Sequence, residues 1–247
     1  MSIFFYFFEK FFFSDAIRII MLNFNSHIGY NKKRRKEYMA TIIKTSTKDQ
    51  VYDIIKEKIF LQEYDLGDTI NITALSSELG VSNTPIREAL SKLEAEGLVT
   101  SSMSSKVRVI DLNEKLFNET SHCFFVLTFG AYSLCAVQDR SSHLQKLMKQ
   151  ALDEQQKALQ SADYSDFVSK AIAFDRTFVA ATGNEKMISI YDSLSPLLYL
   201  LTRYNHQQEV NNREINLEQH REIAQAVADG DSVKVQKLLY FHFDKHL

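Results

Sequence analysis

Proline and glycine are scarce in this chain. With 2 prolines and 7 glycines in 247 residues, it lacks the turn formers that an all-β fold needs at each reversal. Long stretches of 3.6-residue apolar periodicity make the same point positively and predict a mainly α protein. Cysteine is scarcer still, at 2 residues, Cys123 and Cys135. They sit in what reads as one helix, separated by roughly 18 Å at the helical rise, so they cannot pair within it. Free, buried thiols without a disulfide framework are expected, which fits a reducing cytoplasm.

Long uninterrupted apolar runs are missing as well. The Phe-rich stretches SIFFYFF and FFF are broken by Glu9, Lys10 and Asp15 and followed by the basic run NKKRRKEY. A membrane span needs about 18 to 20 apolar residues in a row, and a signal peptide carries its positive charge before the apolar stretch. No membrane partner is expected on either count. Met39 opens MATIIKTSTKDQVYDII, which reads like a natural start, so residues 1–38 are expected to be a disordered extension or a start-site artefact. Excess charge of one sign is also absent. The formal net charge is −2, and any nucleic-acid surface must therefore be a local patch. No nucleophile elbow, phosphate loop or general base stands at a diagnostic spacing, and the chain is not expected to be an enzyme.

The apolar positions Val51, Ile54, Ile55, Ile59 and Phe60 follow helical spacing, with Thr47 available as an N-cap. Ile70 and Ile72 read as a short extended link. Thr73 can cap a second helix that runs through Leu79 and stops at Gly80. In VSNTPIREALSKLEAEGLV, Ser82 or Asn83 caps a third helix, Pro85 lies in its first turn, and Ile86, Leu90 and Leu93 form its buried stripe. Residues 98–102 and 106–110 alternate as two short strands around a Ser-rich tip. Three helices and a hairpin make a winged helix-turn-helix, assigned to residues 39–110. From 111 to 247 only helices are expected, near 113–138, 140–160, 163–182, 184–209, 212–229 and 231–246. Their short connections imply an antiparallel all-helical bundle.

A recognition helix must offer small polar groups and a forked cation from its first two turns, the end that enters the major groove. Ser82 and Thr84 suit phosphate contacts, Asn83 suits adenine, and Arg87 suits guanine or a phosphate. Lys106 and Arg108 in the hairpin are placed to follow the neighbouring backbone or minor groove. The same segment carries Leu75, Leu79, Gly80, Val81, Ser82, Thr84, Pro85, Arg87, Glu88, Ala89, Leu90, Leu93, Glu96, Gly97, Leu98 and Val99. In these residues it resembles the DNA-binding domain of GntR-family regulators. The family usually has Arg where this chain has Asn83, and a Gly near the wing tip where it has Ser105 and Lys106. An altered operator is expected from both departures.

The helical part resembles the effector-binding domain of the FadR-like (FCD) branch of that family, in its six-helix version. The resemblance implies a metal site made by an Asp, a His four residues later on the same helix, and two further His near the C-terminus. An i, i+4 pair projects from one helix face, and imidazoles from neighbouring helices complete the set. Here the matching positions are Asp175, Val179, His220 and His242, so one ligand is replaced by an apolar side chain. Asp175, His220 and His242 either hold a divalent ion such as zinc at a degenerate site, with His246 as a substitute ligand, or hydrogen-bond one another. The first helix of this part, FFVLTFGAYSLCAV, carries no charge where the family often places an Arg and a Glu. An apolar or amphipathic effector follows, with Arg203, Tyr132 and Tyr204 as its polar contacts.

Together these readings describe a cytoplasmic homodimer that binds a pseudo-palindromic double-stranded DNA operator, acts as a repressor and responds to a small-molecule effector. Two rivals are a ligand-independent dimeric DNA-binding protein with a degenerate pocket and a metal-dependent enzyme built on Asp175, His220 and His242.

Overall fold

The first helix, α1 (Thr47–Phe60), starts where the Ser46 hydroxyl accepts the amide of Asp49. Ser46, rather than Thr47, is thus its N-cap. Val51, Ile55 and Ile59 recur every fourth residue and are buried together with Tyr52. The chain then extends over β1 (Thr69–Ile70) and enters α2 (Ile72–Leu79), capped by the Asn71 side chain, which accepts the amide of Ala74. The extended link is therefore shorter than the sequence suggested, and Ile72 is helical. Asn71, two residues earlier than Thr73 with a carbonyl of the right reach, takes the cap.

Gly80 turns the chain between α2 and α3 (Asn83–Ala95) with φ of +65°, a conformation that a side chain would strain. That turn sets α3 beneath the first two helices through Ile86, Ala89, Leu90 and Leu93. The wing follows as β2 (Val99–Ser101) and β3 (Val107–Val109), paired antiparallel with Thr100 opposite Arg108. An additional strand was not foreseen. β1 pairs antiparallel with the other edge of β3, Thr69 opposite Arg108, giving a sheet of order β1-β3-β2. Two residues are too few for an alternating pattern to register in the sequence.

Six helices follow: α4 (Glu114–Val137), α5 (Ser141–Leu159), α6 (Tyr164–Thr182), α7 (Glu185–His206), α8 (Asn212–Asp229) and α9 (Ser232–Asp244). The computed structural model describes residues 46–101, 106–161, 164–206 and 212–244, without the side chains of 204–206 and 212. The extension expected over 1–38, Ser105 at the wing tip, the Tyr204 side chain and His246 lie outside the described residues. All the described residues belong to one compact unit, Ser46–Leu247.

Two main apolar cores divide this unit. One lies under the wing and α1 to α3; the other lies inside the bundle, around Phe124, Phe174, Phe178, Tyr191 and Leu239. α7 bridges them. Leu200 of α7 is buried among the head's apolar residues, Tyr199 stacks on Phe60 with ring centroids 4.4 Å apart, and Leu197 lies against Gly97. A Cβ on Gly97 would stand 3.3 Å from the Leu197 side chain at φ of +74°, so glycine answers both the turn and the close approach.

α4 is long and apolar enough, by length and composition, to cross a membrane, although only 39% of its most apolar window is buried. Phe124, Ala131, Tyr132 and Cys135 face the bundle, while Val126 and Val137 are 64% and 85% exposed. Cys123 lies on the outer face and is exposed, against the expectation that both thiols are buried. Cys135 is buried, twelve positions or 3.3 turns on, and so faces a different side of the helix.

Candidate nucleic-acid interface and metal centre

The N-terminus of α3 opens to solvent. Ser82, Asn83, Thr84 and Arg87 are all exposed, while Ile86, Ala89 and Leu90 of the same helix are buried. Ser82 is the N-cap by backbone geometry, but its hydroxyl makes no capping hydrogen bond. The first amides of α3, which have no intrahelical partner, therefore point outward beside free hydroxyls, an arrangement suited to a phosphate. The start of α1 shares the same hollow, which Ser46, Thr47 and Lys48 line together with Ser82, Thr84 and Pro85. Lys48 escaped the sequence reading because it lies on another helix, 34 residues before Ser82. On the wing, Lys106 and Arg108 are exposed, and the Arg108 guanidinium donates to the Gly67 carbonyl at 3.4 Å. Behind this face, the Tyr52 hydroxyl donates to Glu96 at 2.6 Å, Lys56 pairs with Glu96 at 2.9 Å, and Lys92 lies 3.6 Å from the centre of the Tyr52 ring. That cluster ties α1 to the C-terminal end of α3.

The second constellation is buried. Asp175 on α6, His220 on α8 and His242 on α9 each send one atom to a common point inside the bundle. The two Nε2 atoms are 3.2 Å apart, and Asp175 Oδ1 is 3.4 Å from that of His242 and 3.6 Å from that of His220. Donors at about 2.0 to 2.1 Å from a tetrahedral ion stand about 3.3 Å from each other, so the spacing fits a divalent cation such as zinc.

The hydrogen bonds behind the triad reinforce the fit. His220 Nδ1 lies 2.7 Å from Gln155 Oε1, and the Gln155 amide is oriented by donating to Asn216 Oδ1 at 2.7 Å. His242 Nδ1 lies 3.1 Å from Gln219 Oε1. Both Nδ1 atoms face carbonyl oxygens, which favours the tautomer protonated at Nδ1 and a lone pair on each Nε2. Two lone pairs and a carboxylate oxygen converge within 3.6 Å, and Asp175 Oδ1 has no hydrogen-bond partner of acceptable geometry. Burial pushes the Asp175 carboxyl above its ordinary range, and the neighbouring His242 partly offsets this. A divalent cation held there would neutralise that carboxylate. Val179, at the position where the resemblance implies a fourth ligand, is fully buried in the bundle core.

Beside the triad lies a cavity of about 40 Å³, which Asp175 and His242 help to line, room for about three waters. Its other polar groups are Ser121, Thr202 and Asn216, set among apolar side chains such as Phe117, Leu198 and Leu201. Of the expected effector contacts, Tyr132 and Arg203 are not among them. Tyr132 packs into the bundle core beside Phe129, and Arg203 lines a separate hollow with Ile59, Tyr64 and Leu200. Arg203 is on the head-facing side of α7, and Tyr132 is about three turns from Ser121 on α4. The side chains that do line the cavity, Ser121, Thr202 and Asn216, carried no motif to distinguish them in sequence.

Residues 47–109 match the family model described as bacterial regulatory proteins, gntR family, and residues 129–245 match the FCD domain. The uncharacterized HTH-type transcriptional regulator YdhC of Bacillus subtilis is 26% identical over 80% of this chain and 89% of its own length. A probable D-xylose utilization operon transcriptional repressor of Paenarthrobacter nicotinovorans is 24% identical over 83% and 89%. Among solved structures, E. coli McbR/YncC aligns with a TM-score of 0.62 at 18% identity over 82% of this chain and 95% of that one. A GntR-type putative regulator from Rhodococcus sp. RHA1 aligns with a TM-score of 0.63 at 17% identity over 81% and 95%. At that identity the likeness is one of fold.

Proposed function

The chain belongs to the GntR family, as a sequence-specific DNA-binding transcriptional regulator with an FCD domain behind its winged helix, and we propose that it is a dimeric repressor controlled from the bundle. Residues 46–110 act as the DNA-reading head and 111–247 as the effector-binding and dimerisation part. The observation that carries the reading is the exposed, uncapped polar end of α3 above a buried apolar stripe. Asn83 and Arg87 read base edges. Ser82, Thr84 and Lys48 hold phosphates, and Lys106 and Arg108 follow the adjoining backbone or minor groove.

One head covers too little DNA for a selective site, and two-fold pairing of two copies reads a pseudo-palindrome. The exposed side of α4 offers a self-complementary surface for that pairing. From Thr120 to Gln138 the chain has no Asp, Glu, Lys or Arg, and Val126 and Val137 stand in solvent. An uncharged apolar helix face of this kind is covered in a working protein.

Asp175, His220 and His242 hold a divalent cation, which supplies a Lewis-acidic anchor and neutralises the buried carboxylate. The effector is a small molecule that enters the adjoining cavity, where Ser121, Thr202 and Asn216 orient it. α7 supports coupling to the head, because Leu198, Leu201 and Thr202 line the cavity while Leu197 and Leu200 pack on the head. A ligand that favours one seating of α7 shifts the spacing of the two heads by differential affinity. The names of the operon repressors among the relatives support repression in this chain, which acts on chromosomal DNA in the cytoplasm as a regulator, not an enzyme.

Footprinting of the full chain on the DNA upstream of its own gene tests the reading. Two protected half-sites about one helical turn apart are expected, with protection reduced by Val126→Asp. A single unpaired footprint, or none, contradicts it.

A further inference from the structure

Gln155 is a polar side chain in an apolar position. It continues the buried stripe of α5 after Leu144 and Met148, is fully buried, and is followed by buried Ala158. Its amide has two partners, both on α8: Nε2 donates to Asn216 Oδ1, and Oε1 accepts from His220 Nδ1, each at 2.7 Å. A side chain held at both ends has one orientation, so His220 is presented with a hydrogen-bond acceptor at Nδ1 and no choice of tautomer. Phe174, stacked on the His220 ring at 4.1 Å with an interplanar angle of 15°, holds the ring plane.

We propose that Gln155 is a positioning residue for the buried cation site: locked by Asn216, it fixes the Nδ1–H tautomer of His220 and thereby sets the affinity of the Asp175, His220, His242 triad for a divalent metal. The inference rests on the metal reading above and adds a residue on a fourth helix that touches no metal. A carbonyl that accepts the Nδ1 proton raises the basicity of Nε2 and removes the competing tautomer, whose Nε2 proton would occupy the metal position. With Val179 in place of a further imidazole, the three remaining donors carry the whole affinity, and the loss of one correctly poised lone pair is felt in full.

The test uses the full chain, stripped with a chelator and titrated with Zn²⁺ by calorimetry and with Co²⁺ by visible absorption. Imidazole ¹⁵N spectra of the metal-free protein report the tautomer. Gln155→Leu, of similar volume but without the carbonyl, is expected to weaken Zn²⁺ binding about ten- to hundredfold and to move His220 toward the Nε2–H form. Gln155→Glu retains an oxygen acceptor for the Nδ1 proton, with the Asn216 amide turned to donate to it, and is expected to restore the affinity of the original protein and the Nδ1–H tautomer. Unchanged affinity and tautomer in Gln155→Leu overturn the proposal. So does a Gln155→Glu protein as weak as Gln155→Leu, which would make the residue a packing element. If the unsubstituted chain takes up neither ion, the metal reading itself falls, and the tautomer spectra alone decide whether Gln155 positions His220.

Discussion

In the head, Ser82, Asn83, Thr84 and Arg87 stand in solvent above a core that is aliphatic apart from Tyr52, whose hydroxyl is bonded to Glu96 at its edge. In the bundle the order is reversed. Gln155, Asp175, His220 and His242 are withdrawn from solvent, while the outer face of α4 exposes Val126 and Val137. A surface that must meet a polyanion keeps its polar groups hydrated until the partner arrives, at little expense to stability. Groups that converge inside the bundle are desolvated in advance, and an unpaired carboxylate among them is a standing liability without a compensating charge. Stability and function are therefore separable in the head and opposed in the bundle.

The largest effect should come from the head core. Leu93→Ala, at a fully buried position, is expected to lower unfolding stability by about 2 to 5 kcal/mol in urea titration, and DNA binding should fall only as the folded fraction falls. In the bundle, Asp175→Asn is expected to raise the stability of the metal-free protein by about 1 kcal/mol, because an amide can donate to the facing Nε2 lone pairs, and to abolish stabilisation by added Zn²⁺. The sign follows from burial, which raises the folded pKa of Asp175. Its contribution to stability is then fully present below the unfolded carboxyl value and is lost as pH rises through the raised folded value. Thermal melts of the metal-free chain should show that loss on going from acid toward neutral pH, and Asp175→Asn should remove this component.

Two smaller changes probe the seam of the head. Tyr52→Phe deletes the hydroxyl that bonds Glu96 and is expected to lower stability by about 1 kcal/mol, measured by denaturant titration, without altering operator choice. Lys48→Ala is expected to weaken binding to all DNA sequences alike and to reduce the magnitude of the salt slope by about 1. An effect confined to one operator would give Lys48 a base-reading role instead.

Much of this contrast was legible in the sequence, because periodicity reports burial directly. The stripes Val51, Ile55, Ile59 and Ile86, Leu90, Leu93 located the head helices, and Gly80 marked a real turn with positive φ. The triad Asp175, His220, His242 was found through resemblance, and the structure brings its three residues together. Other features were hidden for physical reasons. A strand of two residues, Thr69–Ile70, has no period to detect. Asn71 and Thr73 are chemically equal as caps until the backbone chooses. Tyr132 and Arg203 were expected at the effector cavity because polar tips on helices look alike in sequence, whereas the neighbouring helices decide which of them reach it. Gln155 did leave a trace, as the one amide on the apolar stripe of α5, but a polar interruption means something only when its partners on α8 are known.

That α3 reads DNA from its exposed N-terminal turns is tested most sharply by the salt dependence of binding to the DNA upstream of the gene, before and after Arg87→Ala. About a ten- to hundredfold loss of affinity is expected, with a salt slope shallower by about 1 if Arg87 also meets a phosphate and unchanged unfolding stability. Affinity and slope both equal to those of the unsubstituted chain would contradict it.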